Sequence, residues 1–448
     1  MKPDRRWAAA VAALTLLLFL PTLRFPFLDW DDKPNLLLNP AYRGFAWANL
    51  KWMFTTHYRG PYQPLSWLSL ALDFKLWGLR PAGYHLVNAL LHAANAALAF
   101  LIARTFLEKP AAAFAALFFS LHPLRVESVV WVTERRDVLS GFFFLLALLG
   151  HVRGVRRGWV LASFAAACLA KATAVGLVWA LIAVDYARTR KLLIEDKLPF
   201  FAVALAAGLL NLRGFATGDL TSAHYGPLQR LALAGHSGWF YLRRTLCPTG
   251  LSPYYQLPAR LKPIAFTLTT RTIAVAAITA AAFDVRRRWP GLAAAWFCYL
   301  LMLAPVSGLL QNGQQMAADR YSYLACLPFA ALAGGGFAAF SWLSPRRAAA
   351  GAALLLTFFS AMTLRQMSFW RDDVALWTRA VSLDPDNLEA RNNLAVLLIK
   401  RGRRSEAESA LEAIVREAPS FAPARQNLER LRALQRPGGG AWCGVRGK

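Results

Sequence analysis

Apolar residues along this chain are grouped into long runs, separated by short polar stretches. Hydrophobic residues make up 56% of the 448 residues, and the mean hydropathy of +0.34 is too high for a soluble globular protein of this size. About eleven runs approach the roughly 20 apolar residues that cross a bilayer as an α-helix. The pattern therefore predicts an all-α polytopic membrane domain over residues 1–368. The predicted spans are 7–23, 86–103, 110–121, 138–151, 158–170, 172–186, 198–212, 264–283, 291–309, 321–343 and 347–365.

Arginine-rich stretches alternate with the apolar runs and supply much of the formal net charge of +26. If the N-terminus is inside and all eleven runs span, these stretches lie on the cytoplasmic side, as the positive-inside rule requires. The basic charge thus indicates membrane orientation, and nucleic-acid binding is not predicted. The stretches are 5–6, 153–157, 188–191, 286–288 and 346–347.

For two apolar segments, the charged residues at their ends decide the assignment. The first, 7–23, is long and ends at acidic residues, so we expect a retained helix rather than a cleaved signal peptide. The segment 228–246 is apolar enough to span, but it ends in Arg243 and Arg244. We interpret it as an interfacial helix, because a further span would move residues 286–288 to the outside.

Residues 369–434 differ in composition from the preceding domain, since they are charged and have an amphipathic helical pattern. Pro385 and Pro419 are 34 residues apart, and a 34-residue period that ends in Pro is the signature of the tetratricopeptide repeat (TPR). The pattern predicts one full repeat with half a repeat on each side. Three repeats are normally needed for independent stability, so we expect the unit to pack on the membrane domain or on a partner. We expect residues 435–448 to form a disordered tail.

Polar side chains gather where the chain leaves the apolar runs on the side opposite to the arginine-rich stretches. Carboxylates there can take a proton from a hydroxyl group, and arginine offers a bidentate fork to phosphate oxygens. The mixture suits a transfer reaction beside a phosphate, but the same residues could instead cap helices or form a structural salt-bridge network. The candidates are Asp29, Asp31, Asp32, His122, Arg125, Glu127, Glu134, Arg135, Asp137, Gln311, Gln314, Asp319, Arg320 and Tyr321.

Lys171 is a further candidate because it interrupts an apolar run. A charge inside the membrane costs roughly 2.5–3.5 kcal/mol on insertion scales, so we expect Lys171 at a helix turn or in a polar cavity. There it could bind phosphate or extend its ammonium group to the interface. His122 and Glu127 alone do not make a metal site, and the five cysteines show no CxxC spacing. We predict neither a metal nor another cofactor.

Several short motifs follow one another in a fixed order from about residue 20 to residue 430. Taken together, they resemble those of the transmembrane-and-TPR O-mannosyltransferases, a family in the GT-C class of glycosyltransferases, and indicate a bacterial relative. The chain departs from the family pattern at Arg125, where a second His is expected, and in a TPR array that is shorter than in eukaryotic members. The motifs are Phe27-Leu-Asp-Trp-Asp-Asp32, Asn39-Pro40, Gln63-Pro-Leu-Ser-Trp-Leu-Ser69, Leu72-Asp73, His85-Leu-Val-Asn88, Leu91-His92, His122-Pro-Leu-Arg-Val-Glu127, Glu134-Arg-Arg-Asp137, Gln311, Gln314-Gln315 and Ala318-Asp-Arg-Tyr321.

The resemblance implies a GT-C fold in a bacterial inner membrane, with the site and the TPR on the periplasmic side. It implies inverting transfer of a sugar, with mannose as the first candidate, from a polyprenyl-phosphate donor to an acceptor hydroxyl, such as that of a protein Ser or Thr. Asp31 or Asp32 would be the catalytic base, and the sequence does not decide between them. Cations near the lipid headgroup would stabilise the departing phosphate. In order of preference they are Arg320, Arg125, Arg135 and Lys171, while Glu127, Glu134 and Asp137 would orient the acceptor or hold the arginines.

Two other classes of function compete with the enzyme. A non-catalytic membrane scaffold would recruit envelope proteins through its TPR and would tolerate changes to the acidic residues. A transporter of lipid-linked sugars would show internal repeats and polar residues near the bilayer midplane. The polar residues instead gather at one edge of the membrane, which favours the enzyme.

Overall fold

The computed structural model describes residues 2–215, 225–257, 261, 264–309 and 315–435. It is 79% helical, and the strands within these ranges are one short antiparallel pair. The all-α class predicted from the apolar runs is therefore confirmed. The α-helices are α1 (Lys2–Phe19), α2 (Trp47–Thr55), α3 (Pro64–Trp77), α4 (Pro81–Ala103), α5 (Lys109–Ser120), α6 (Val126–Val130), α7 (Arg135–Val152), α8 (Arg157–Ala170), α9 (Leu177–Thr189), α10 (Leu198–Phe215), α11 (Pro227–Leu246), α12 (Ala265–Asp284), α13 (Pro290–Leu303), α14 (Ser322–Ala325), α15 (Leu327–Leu343), α16 (Pro345–Phe369), α17 (Asp373–Leu383), α18 (Leu388–Lys400), α19 (Arg404–Glu417) and α20 (Ala422–Gln435); the strands are β1 (Tyr255–Gln256) and β2 (Gln315–Ala317).

Each predicted span coincides with one of these helices or with two consecutive ones. Six helical segments of the described chain are long and apolar enough to cross a membrane, and the number rises to eight if each of two bent helix pairs is one span. The chain is thus a multi-pass membrane protein, while the number of eleven spans stays a prediction. The predicted spans at α7 and α8 are among those that fall outside these candidate segments. Helix α7 has the length of a span but begins with the charged residues Arg135, Arg136 and Asp137, and α8 is short, with 14 residues.

Two sharp bends shape the end of the bundle that holds the candidate residues. Helices α5 and α6 meet at 53°, and the pair Asp319–Ala325 and Leu327–Leu343 meets at 59°. Pro123 begins the helical turn after the first bend, and Pro328 lies in the first turn of α15. A proline has no N–H for the hydrogen bond to the preceding turn, so the helix breaks there.

The first bend turns the segment 121–135 inward, and every residue in it is buried. The sequence places this stretch at the end of a predicted span, where a polar turn can face either water or protein. Its charged side chains are enclosed by the surrounding helices, and the rule that buried charges must be paired governs their chemistry.

Helix α11 is not among the candidate spans, and the interfacial position of 228–246 stays a prediction. Its C-terminal half contacts turns at the site end of the bundle. The Tyr241 hydroxyl donates to the Ala318 carbonyl oxygen at 2.9 Å, and the Thr245 carbonyl oxygen contacts His122 Nε2 at 3.1 Å. The helix therefore lies against the polar residues at this end.

Helices α17 to α20 form the C-terminal unit, which we call the TPR-like unit. Helices α18 and α19 make one hairpin, with α17 before it and α20 after it, as the 34-residue period predicts. Leu376, Trp377, Ala380 and Ala390 of this unit belong to the same buried apolar cluster as Phe19 and other membrane-domain residues. The unit thus packs into the membrane domain, as we expected from its small number of repeats. The predicted tail lies, apart from its first residue, outside the described residues.

Candidate functional site

The three acidic residues after the first membrane helix have different surroundings. Asp32 is buried, and its carboxylate accepts hydrogen bonds from the backbone N–H of Leu28 at 3.0 Å and of Thr133 at 2.8 Å. The Thr133 hydroxyl donates a third at 2.6 Å. Asp31 lies closer to solvent, with 27% of its side chain exposed and Arg59 at 3.4 Å. Asp29 pairs with Lys33 at 3.3 Å and also with Lys400 of the TPR-like unit.

Burial sets the ionisation of Asp32. Removal from water raises its pKa to about 7, although the hydrogen bonds from Thr133 and Leu28 favour the charged form. Through its bonds from Thr133, Asp32 also fixes residues 28–33, which we call the acidic loop, to the segment 121–135. Asp31 keeps the more accessible carboxylate.

The raised pKa of Asp32 predicts a pH dependence of stability. The folded protein keeps this proton up to pH about 7, whereas the unfolded chain releases it near 3.8. The contribution to stability is complete below the lower value and is lost as the pH rises to the upper one, by at most about 4 kcal/mol because each pKa unit corresponds to about 1.4 kcal/mol. We expect the melting temperature of the wild type to fall between pH 4 and 7 relative to that of Asp32→Asn, which stays neutral. Parallel curves would contradict the assignment, and Asp384→Asn, an exposed change, is the control.

A cluster of six charged side chains occupies the end of the bundle next to the acidic loop. Glu134 contacts Arg136 at 3.0 Å, Lys171 at 3.0 Å and Arg320 at 3.3 Å. Lys171 also pairs with Asp137 at 2.6 Å. Arg320 pairs with Glu127, and its backbone N–H donates to the same carboxylate at 2.9 Å. Three carboxylates thus match three cations. The structure brings Arg320 and Lys171 together with three of the predicted acids, Glu127, Glu134 and Asp137.

Electrostatics within this cluster favour the ionised form of Glu134. Burial alone would raise the pKa of Glu134, but Arg136, Lys171 and Arg320 hold it well below its ordinary value. Arg320 also lies over the ring of Trp131, with its guanidinium carbon 5.5 Å from the ring centre. The cations are consequently held in fixed positions by carboxylates and an aromatic face.

Two of the predicted phosphate ligands, Arg125 and Arg135, are fully enclosed, and the terminal NH2 groups of both guanidinium groups donate to protein atoms. Arg135 pairs with Asp73 at 2.6 Å and donates to the Tyr84 carbonyl oxygen at 2.9 Å. Arg125 donates to the carbonyl oxygens of Ser322 at 3.1 Å and of Tyr323 at 2.8 Å. Their side chains serve packing between helices, and neither reaches the surface of the site.

The remaining candidates that the structure describes are not members of the cluster. His122 accepts a hydrogen bond from the Leu124 N–H at 3.2 Å and so caps the turn that follows it. Asp319 accepts one from the Tyr255 hydroxyl at 2.9 Å. The Tyr321 ring lies 5.0 Å from the Arg320 guanidinium carbon. Gln311 and Gln314 lie outside the described residues.

Three contributors to this site were absent from the sequence-based candidates, and one of them, Arg136, pairs with Glu134 in the charged cluster. Thr133 donates a hydrogen bond to Asp32, which is 101 residues away in the sequence, and no local sequence pattern predicts such a contact. Asp73 forms an ion pair with Arg135. A carboxylate among the mostly apolar residues of α3 was the signal that could have indicated a buried partner. Within the described ranges, no group of three or more His, Cys, Asp or Glu side chains could hold a metal ion.

A cavity of about 200 Å³ lies between α16, α17 and the loop that follows α11. Arg365, Gln366 and Arg379 line it together with Pro123 and apolar residues. Among the described residues, neither arginine has a carboxylate within ion-pair distance. The cavity therefore presents positive charge next to the buried segment.

The chain has relatives among named proteins. It is 26% identical to the protein O-mannosyl-transferase Tmtc1 of Drosophila melanogaster, in an alignment that covers 95% of this chain and 63% of that protein. It is 38% identical to the protein O-mannosyl-transferase TMTC3 of Mus musculus over 28% of this chain and 13% of that protein. The chain thus spans less than two thirds of the length of these relatives. A tetratricopeptide repeat model matches residues 374–431.

A search of solved structures finds the crystal structure of ArnT from Cupriavidus metallidurans bound to undecaprenyl phosphate. The likeness has a TM-score of 0.41 and 17% sequence identity, and it covers 88% of this chain and 72% of that one.

The resemblance inferred from the motifs is confirmed by the alignment along nearly the whole chain and by the TPR match: this membrane protein is a relative of the Tmtc protein O-mannosyl-transferases.

Proposed function

We propose that the protein is an integral-membrane glycosyltransferase of the GT-C type. It moves a sugar, with mannose as the first candidate, from a polyprenyl-phosphate donor to an acceptor hydroxyl, such as that of a protein Ser or Thr. The observation that carries this proposal is the contact between two segments far apart in sequence. The acidic loop is tied to Thr133, and the next residue, Glu134, is tied to the cations Arg320 and Lys171.

Asp31 is the catalytic base in this proposal. Its carboxylate takes the proton of the acceptor hydroxyl while that oxygen forms a bond to the anomeric carbon of the sugar. The bond from that carbon to the phosphate oxygen breaks, and the lipid phosphate leaves with the bonding electrons. Attack from the face opposite to the phosphate inverts the anomeric configuration. Asp31 fits the role better than Asp32 because Asp32 is enclosed and already accepts three hydrogen bonds.

Arg320 and Lys171 are the cations proposed to meet the departing phosphate. Each is about one-tenth exposed and is held by carboxylates, so little reorganisation is needed when negative charge develops. Arg125 and Arg135 fit less well, since both are enclosed and their terminal amino groups donate to protein atoms. Arg365 and Arg379 at the cavity are an alternative pair of cations.

The arrangement of charge supports a site on the non-cytoplasmic side of a bacterial inner membrane. The arginine-rich turns at 153–157 and 188–191 follow the C-terminal ends of α7 and α9, whereas the charged cluster lies at their N-terminal ends. Under the positive-inside rule, the turns are cytoplasmic and the cluster is external. A single cysteine introduced near the acidic loop and labelled in intact cells with an impermeant reagent tests this orientation.

Sugar transfer by the purified protein tests the proposed function. We expect protein in nanodiscs to transfer labelled mannose from polyprenyl-phosphate mannose to a Ser- and Thr-containing peptide, with inversion at the anomeric carbon measured by NMR. Donors with other sugars and hydroxyl acceptors of glycolipid type form the panel of alternatives. Absence of transfer with the whole panel by a folded, monodisperse sample would contradict the proposal.

The TPR match favours a second candidate, a membrane scaffold that binds envelope proteins. The two candidates differ in one outcome. Cells that carry Asp31→Asn keep normal function if the protein is a scaffold, and lose it if the protein is the proposed enzyme.

A further inference from the structure

The acidic loop is held from outside the membrane domain as well as from within it. The Asp29 backbone N–H donates to the carboxylate of Asp373 at 2.8 Å, and the Asp29 side chain forms an ion pair with Lys400. Asp373 is the first residue of α17, and Lys400 is the last residue of α18. One residue of the acidic loop therefore contacts both the start of α17 and the end of α18. Asp29 lies two residues before Asp31.

The next residue, Trp30, joins the same two parts through its ring. It stacks on Trp131 of the membrane domain, with ring centres 4.4 Å apart and planes 11° apart. On another side it meets Trp377 of α17 at 5.0 Å, edge to face. Aromatic contacts of this kind contribute about 0.5–1.5 kcal/mol each beyond the area that they bury. Trp30 is therefore held between the two parts.

The TPR-like unit is itself fixed to the membrane domain beneath these contacts. Trp377 is buried in the apolar cluster that also contains Leu28 and Trp131. The Asn387 side-chain amide donates to the Tyr254 carbonyl oxygen at 3.4 Å. Because the TPR-like unit is fixed to the membrane domain, it can hold the acidic loop in one geometry.

By comparison, Asp31 is held loosely. In the part of the chain that the structure describes, its carboxylate pairs with Arg59 at 3.4 Å, and both partners are partly exposed. Its carbonyl oxygen accepts a hydrogen bond from the Asn35 N–H at 3.0 Å. Exposed ion pairs contribute at most about 1 kcal/mol, so the position of Asp31 depends on how its neighbours Asp29, Trp30 and Asp32 are fixed. Of these three, Asp32 is fixed by Leu28 and Thr133, whereas Asp29 and Trp30 contact the TPR-like unit.

We propose that Asp373, Trp377 and Lys400 are positioning residues of the active site, and that the TPR-like unit sets the geometry of the acidic loop for transfer. This inference rests on the proposed function, in which Asp31 is the base. An error of about 1 Å in the placement of a reacting group can reduce a rate by about 100-fold. The C-terminal unit is then a part of the catalytic apparatus, in addition to any acceptor that it binds.

The test uses Lys400→Met in the full chain, with Lys400→Arg as the conservative variant. Because the pair with Asp29 is partly exposed, we expect little change in melting temperature. We expect kcat to fall about tenfold or more with the donor KM nearly unchanged, and hydrogen exchange of residues 28–33 to become faster. Lys400→Arg should restore both. The matched control is Arg403→Gln, which removes an exposed cation whose partner, Glu406, lies in the same unit.

Each outcome decides a separate question. Wild-type transfer with an unchanged kcat in Lys400→Met overturns the positioning role and leaves the proposed function intact. Faster exchange of the loop without a change in kcat overturns it as well. If the wild type does not transfer any sugar, the proposed function fails. Exchange of residues 28–33 then still reports whether Lys400 holds the loop, and unchanged exchange overturns that too.

Discussion

Replacement of Asp31 by Asn is expected to slow sugar transfer by about 10²–10⁴-fold, the usual contribution of a positioned general base. An amide of the same shape cannot take the proton of the acceptor hydroxyl, while the loop that holds it keeps its contacts. The loss should therefore appear in kcat, with the KM values for donor and acceptor nearly unchanged. Single-turnover transfer of labelled sugar in nanodiscs measures it.

Two further variants make this result specific. Asp384→Asn removes an exposed carboxylate of the TPR-like unit, which has no part in the proposed chemistry, and should retain wild-type rates. Asp32→Asn keeps two of the three hydrogen bonds to Asp32 and should lose less activity than Asp31→Asn. If Asp32→Asn is instead the inactive variant and Asp31→Asn transfers normally, the roles of the two acids are reversed.

Replacement of Arg135 by Met is expected to destabilise the folded protein by about 3–5 kcal/mol, because it leaves a buried carboxylate without its partner. Arg135 and Asp73 are both almost completely enclosed, and their side chains are 2.6 Å apart. Arg135 also bonds Ser69 at 2.8 Å, so the change opens contacts between α3 and α7. Unfolding in mixed detergent, or thermal unfolding followed by circular dichroism, measures the loss.

The double variant Asp73→Leu with Arg135→Met separates this structural role from phosphate binding. Removal of both charges should recover most of the stability, since buried ion pairs are often replaceable by apolar residues. Arg346→Met, an exposed change at the start of α16, is the control for loss of one positive charge. If Arg135→Met has normal stability and a raised donor KM, Arg135 binds the donor phosphate, as the family resemblance implied.

Much of the membrane domain could be predicted from the sequence because its apolar runs are long and uninterrupted. Bilayer helices need only length and composition, and helices such as α4, α10 and α12 follow directly from them. The TPR-like unit was also accessible, since its 34-residue period repeats over a short distance.

The interior of the site could not be predicted from the sequence in the same way. A polar turn between two apolar helices has the same pattern whether it faces water or protein, so the burial of 121–135 could not be foreseen. The partners of Asp32 and Arg135 lie 101 and 62 residues away. Such pairings follow from the packing of helices, which a local pattern does not contain. The sequence singled out most of the charged residues that meet at this end of the bundle, but it left open which acid is accessible and which cations are enclosed.

The parallel stack of Trp30 on Trp131 has a spectroscopic consequence. Two indole rings at this separation couple excitonically and give a paired positive and negative band in the far-ultraviolet circular dichroism spectrum. The chain has 16 tryptophans, which would obscure a fluorescence signal, but the difference spectrum between the wild type and Trp30→Phe isolates this couplet. The couplet therefore reports the position of the Trp30 ring, which also contacts Trp377 of the TPR-like unit, without a label and while lipids and peptides are added.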